Sequence, residues 1–183
     1  MLLLLRFALG PLVWWSVLAG TSRLWFLAGF LAAFLSDVFD GIIARRLNVS
    51  TPALRQADGW VDTWFYGWVI ASLWVAHRVT LIAFAVPILI VLSLQVTEWI
   101  FGFIKFRKLT SYHAYSAKAF GIALFVSIVC MMGFDYAGWV LWAALIIGCI
   151  NSVENWLMTL ILKVWTTDVP SAFHAWKLTK PVS

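Results

Sequence analysis

The chain has 183 residues, 63% of them hydrophobic and 11% charged, with a mean hydropathy of +0.93. Soluble domains carry about 25% charged residues, so this composition excludes a soluble globular enzyme and points to an all-α integral membrane protein, too short for more than one compact bundle. The net charge of +5 does not call for nucleic acid, because a basic balance in a membrane protein records topology and contact with anionic lipid.

A spanning helix needs roughly 20 apolar residues, and six segments approach that length. The first is Leu2–Leu18, interrupted by Arg6 and by a Gly10-Pro11 pair able to kink it. It lacks a basic leader and a small-residue cleavage site, so it reads as a mature helix rather than a signal peptide. Leu24–Ala44 follows and ends at Arg45-Arg46; Trp60–Ala76 ends at His77-Arg78; Leu81–Phe103 ends in Lys105, Arg107 and Lys108. Ala117–Met132 and Trp139–Leu162 complete the set, the last ending at Lys163. Residues 163–183 read as a cytoplasmic or interfacial tail, in which Pro170 can start a short helix bearing Phe173, Trp176 and Leu178. The whole, 1–183, reads as one membrane domain. Thirteen Trp and fourteen Phe suit membrane-interface and lipid-facing positions. Cys130 and Cys149 lie in apolar runs without metal-ligand spacing and read as small core residues.

Lys and Arg accumulate in cytoplasmic loops. With the N-terminus inside, Arg6, Arg45, Arg46, Arg55, Lys105, Arg107, Lys108, Lys118, Lys163, Lys177 and Lys180 fall on the cytoplasmic side, against Arg23 and Arg78 outside. This asymmetry predicts six transmembrane helices with both termini cytoplasmic.

Within this apolar chain, Asp37, Asp40, Asp58 and Asp62 supply four of the eight acidic residues in one short stretch. Carboxylates in such surroundings cost several kcal/mol each unless partnered, so their clustering is a functional signal. Asp37, Asp40, Gly41, Ala44 and Arg45 have the spacing of one helical face, and Asp58 and Asp62 lie one turn apart on the next helix. Helices joined by a short loop are antiparallel neighbours, which brings all four carboxylates to one point at the cytoplasmic membrane edge. Like charges so placed protonate or recruit cations. Hard oxygen donors without His or Cys match Mg²⁺ or Mn²⁺, and two such ions suit displacement at phosphorus. Gly41 and Ala44 leave a smooth face for a bulky ligand or a close helix, and Arg45 offers a planar fork to phosphate or to an Asp.

The order Asp37-x2-Asp40-Gly41-x2-Ala44-Arg45, eight residues, then Leu54-x3-Asp58-x3-Asp62 closely resembles the signature of the CDP-alcohol phosphotransferase family, D-x2-D-G-x2-A-R-x8-G-x3-D-x3-D. Seven of its eight named residues match with every spacing kept; Leu54 stands where the family has its second glycine, which touches substrate fit more than metal binding. The resemblance implies an enzyme that displaces CMP from a CDP-linked alcohol, commonly CDP-diacylglycerol, by a second alcohol, in phospholipid biosynthesis. It implies a dinuclear Mg²⁺ or Mn²⁺ centre on Asp37, Asp40, Asp58 and Asp62, with Asp62 also the general base. It implies a CDP-donor site of Asp37, Gly41, Ala44 and Arg45, and a homodimer.

Lys105, Arg107 and Lys108, with Thr110, Ser111, Tyr112, His113 and Lys118, form a second polar patch. Lys105, Arg107 and Lys118 are candidates for a phosphate on the acceptor; the first two equally suit positive-inside topology and lipid headgroups. His113 has no His or Cys partner at ligand spacing. Glu98, Asn151 and Glu154 lie in apolar spans and should face the interior, joining helices or supporting the site. A divalent-cation or proton transporter and a non-catalytic scaffold are the rival readings. A transporter predicts acids spread along a path through the membrane, whereas these gather at one face.

Overall fold

A computed structural model describes residues 2–47, 52–108, 110, 112 and 114–179, with the backbone alone for residues 2, 41, 44–47 and 52–56. Among the described residues there are eight helices and no strand. Six are long: α1 (Leu2–Leu18), α2 (Arg23–Leu47), α3 (Pro52–Ala76), α5 (Ala85–Phe106), α6 (Tyr115–Phe134) and α7 (Gly138–Ile161). Two are short, α4 (Arg78–Ala83) and α8 (Ala172–Leu178). Three, α5, α6 and α7, are long and apolar enough to cross a membrane, and α1 is apolar but shorter. The aspartates lie on α2 and α3, which lowers the hydropathy of those helices.

The helices follow the apolar segments, with two informative differences. First, α2 and α3 extend well into the polar connection, α2 to Leu47 and α3 from Pro52. Proline opens α3 because its missing N–H costs nothing in the first turn. Asp58 and Asp62 therefore stand inside α3 rather than near its start. Second, the fourth segment is divided at Phe84, and α5 restarts with Pro87 in its first turn, where an N–H is not needed.

The chain divides into two compact units, Met1–Ile82 with Val129–Tyr136, and Ala83–Ile128 with Ala137–Ser183. In the first, α1 packs against both α2 and α3. Its inner face carries Arg6, Gly10 and Val13 at helical spacing, all buried. A Cβ on Gly10 would meet the Trp68 indole at 2.6 Å, and one on Gly29 would meet Val13 at 2.7 Å, so the two glycines set the close approach of three helices. Pro11 does not interrupt α1. Having no N–H, it releases the carbonyl of Phe7, which accepts a hydrogen bond from Trp64 Nε1 at 3.2 Å. The proline thus ties α1 to α3. Phe26, Phe30 and Ala33 on α2 and Phe65, Val69 and Leu73 on α3 form the apolar stripes that run into the aspartates.

In the second unit α7 packs against α5 and α8. Tyr112, Ala114, Met158, Leu162, Val169 and Ala175 form its buried cluster. Buried and half-buried polar groups join the helices. Ser116 Oγ donates to Asn151 Oδ1 and to Glu154, while Glu154 accepts the N–H of Ala172 at the start of α8. Glu98 accepts from Thr110 at 2.7 Å. Burial pushes the Tyr112 hydroxyl above its ordinary pKa of 10, against a hydrogen bond with Thr159 at 2.8 Å.

At the end of α1–α3 away from the aspartates, Arg23 pairs with Asp135, and His77 Nε2 lies 3.9 Å from the same carboxylate. These groups border a cavity of about 150 Å³ with Ser16, Thr21 and Ser22. Burial holds His77 below its ordinary 6.5; Asp135 opposes that shift and Arg23 adds to it. The folded state therefore takes up this proton less readily than the unfolded chain, so stability is full above 6.5 and declines as pH falls below it. His77→Gln should flatten the fall in melting temperature between about pH 7 and pH 5. An unchanged slope in detergent-solubilised protein would remove His77 from that dependence.

Candidate active site

Two helical faces and one side chain from a third helix build the site. Asp37 and Asp40 lie one turn apart on α2; Asp58 and Asp62 lie one turn apart on α3. Arg6, in the second turn of α1, reaches between them. Its Nη1 donates to Asp37 at 2.9 Å and to Asp62; its Nη2 donates to Asp58 and, at 3.3 Å, to Asp40. One guanidinium thus engages four carboxylates through its two terminal nitrogens, which a planar fork with five N–H donors can do and an ammonium cannot.

The exposure is lopsided. The Arg6 side chain is 1% exposed, whereas the four Asp side chains are between 30% and 48% exposed. The carboxylates form a mouth open on one side with the cation as its floor. Beneath lies a cavity of about 30 Å³ bordered by Phe30, Phe34, Phe65 and Tyr66, and the Phe30 and Phe65 rings stack with centroids 6.1 Å apart. The Arg6 Nε is buried without a hydrogen-bond partner among the described residues.

Carboxylate oxygens of Asp37, Asp58 and Asp62 all lie within 4.8 Å of one another. If all four aspartates are ionised, Arg6, the one guanidinium set against them among the described residues, leaves a formal excess of three negative charges. An all-oxygen donor set, strongly negative and partly open to solvent, fits a hard divalent cation that keeps water or phosphate in its remaining positions. The residues present therefore fit the metal expected from the sequence.

The other candidates stand as follows. Gly41, Ala44 and Arg45 lie in α2, and Leu54 and Arg55 in α3, with their side chains outside the described residues; Ser111 and His113 lie outside them entirely. Lys105, Arg107 and Lys118 belong to the second unit. Lys105 Nζ donates to the carbonyls of Thr159 and Leu160 at 2.7 and 3.0 Å, capping the end of α7. Arg107 terminates α5 in the left-handed region with φ 56°. The Lys118 ammonium lies 5.4 Å from the Tyr115 ring centre.

Sequence reasoning missed the place of Arg6. It treated this residue only as a topological charge and an interruption of α1. A lone arginine inside an apolar helix was itself the signal that could have found it. Tyr66, one turn after Asp62 and against the same cavity, was also passed over.

Fold and site together define a helical membrane protein with a carboxylate cluster on adjacent helices whose oxygens could hold a divalent cation. The family model for CDP-alcohol phosphatidyltransferase matches residues 1–150, and the chain belongs to that family. Its members are transferases acting on CDP-alcohols and are generally dependent on divalent metal. No curated protein and no solved structure matches the chain.

Proposed function

We propose that the protein transfers the substituted phosphoryl group of a CDP-alcohol, with CDP-diacylglycerol as the donor, to an acceptor alcohol, releasing CMP in phospholipid biosynthesis. The observation that carries this reading is the convergence of the four signature aspartates on one point, in a chain whose first 150 residues match the family. Asp37, Asp40, Asp58 and Asp62 hold two Mg²⁺ or Mn²⁺ ions, which neutralise charge on the pyrophosphate when bound. Asp37, Gly41, Ala44 and Arg45 form the CDP side of the site. Asp62 accepts the proton of the acceptor hydroxyl. The acceptor oxygen forms a bond to the phosphorus that bears the lipid alcohol. The anhydride bond to CMP breaks, and CMP leaves with the bridging oxygen and its electron pair.

Six helices span the bilayer in this reading, with both termini and the aspartates on the cytoplasmic side and residues 1–183 acting as one domain. The donor then keeps its acyl chains in the membrane while its headgroup reaches the carboxylates. Lys105, Arg107 and Lys118 are the candidates for an acceptor phosphate, and a homodimer is the expected assembly. The test is CMP release by purified protein from CDP-diacylglycerol with Mg²⁺ or Mn²⁺ and a panel of acceptors: glycerol phosphate, inositol, inositol phosphate, serine and choline. Metal-dependent CMP with one of them supports the assignment; no CMP with any acceptor, and no binding of cytidine nucleotide, overturns it.

A further inference from the structure

We propose that Arg6 is a positioning residue that holds the four carboxylates convergent in the metal-free protein and competes with the divalent cation for their oxygens, so that its fork sets the metal affinity of the site. This rests on the metal-dependent reading above. Three observations carry it. The Arg6 side chain is 1% exposed and yet bonded to carboxylates from two other helices. An arginine buried in an apolar helix is costly unless its partners are fixed, and here the partners are the residues that fit a divalent cation. Its Nη1 and Nη2 take up oxygens of Asp37, Asp58 and Asp62, the same three carboxylates that come within 4.8 Å of one another. Finally, its Nε is buried without a partner among the described residues, while a cavity of about 30 Å³ bordered by Arg6, Asp37 and Asp62 adjoins the fork. The side chain thus has an unsatisfied donor and room beside it. Guanidinium forks of this kind also recognise phosphate oxygens.

The physical consequence has two opposing signs. Without metal, Arg6 is the positive charge at the centre of four negative ones, and its removal leaves them repelling. With metal, the same charge opposes cation binding and engages oxygens the cation needs. A purely structural arginine moves stability alone; a competing one moves stability and metal affinity in opposite directions.

The experiment measures Mn²⁺ binding by electron paramagnetic resonance, and melting temperature with and without Mn²⁺, on wild-type, Arg6→Met and Arg6→Lys protein in detergent. Arg6→Met is expected to melt lower than wild type without metal, to recover most of that difference in saturating Mn²⁺, and to bind Mn²⁺ about ten-fold tighter or more. Arg6→Lys keeps the charge but cannot span four carboxylates at once, and is expected to bind Mn²⁺ about three-fold tighter or more. It carries the test alone should Arg6→Met fail to accumulate. Wild-type protein that binds Mn²⁺ with variants of equal or weaker affinity overturns the role of Arg6 and leaves the metal site standing. Wild-type protein that binds no Mn²⁺ overturns both.

Discussion

Asp62→Asn is expected to lower CMP release by about 10³-fold or more, while the protein remains folded and still binds a CDP-alcohol. The size follows from two losses at one atom: general base catalysis contributes about 10²–10⁴-fold, and an amide is a weaker ligand than a carboxylate. Retention of the fold follows from the surroundings. Asp62 is 35% exposed, and its neighbour Arg6 keeps Asp37, Asp40 and Asp58 when Asp62 becomes neutral. Donor binding persists because the cytidine side of the proposed site lies on α2 rather than on α3. Single-turnover assays with saturating Mn²⁺ separate the two losses, since metal occupancy is then no longer limiting. A pH–rate profile completes the separation. The wild-type rate should rise with pH as the base ionises, and the residual rate of the variant should lack that limb. Turnover within ten-fold of wild type would remove Asp62 from the role of base. A protein that no longer binds the CDP-alcohol would place Asp62 in ground-state binding instead.

The aspartates were legible in the sequence because charge is expensive where everything around it is apolar. Their spacing on two helices joined by a short connection is enough to bring them together. The helix order was legible for the same reason, since long apolar runs separated by polar residues leave few alternatives. Arg6 was not legible as a site residue, because its meaning depends on three helices meeting. Periodicity describes one helix at a time, and α1 shows only a charge out of place. The contact exists because Gly10 and Gly29 let α1 sit close to α3 and α2, at distances no pattern of single residues reports. The extension of α2 to Leu47 was hidden likewise, since polar residues there read as loop while the backbone continues as helix, whereas Pro52, where α3 begins, is a residue suited to open a helical turn. Lys105 likewise has a contact that lies beyond its neighbours in sequence. Beside Arg107 and Lys108 it reads as part of a basic patch, and its ammonium also caps α7 through carbonyls more than fifty positions away.

Removal of divalent cations should abolish CMP release, and Mg²⁺ or Mn²⁺ should restore it. The ground is the charge on the site. Four carboxylates converge and the described structure sets one guanidinium against them. A pyrophosphate brought to that mouth would add further negative charge, which Arg6 alone cannot balance and which the exposed side of the cluster leaves facing solvent. Monovalent salt screens such a field without bridging carboxylate to phosphate, so raised NaCl should not substitute. Among the described residues the site contains no His or Cys ligand, which argues against rescue by zinc at matched concentration. The measurement is CMP release after treatment with a chelator, followed by graded return of each cation. A loss of about 10³-fold or more, reversed by Mg²⁺ or Mn²⁺, is the expected result. More than a tenth of the activity surviving complete chelation would mean that protein charges alone, with Arg6 and Arg45 foremost, neutralise the pyrophosphate. The dependence on Arg6 should invert in that case: Arg6→Met would lose activity outright instead of tightening metal binding. Chelation and the Arg6 variants therefore interrogate one charge balance from its two sides.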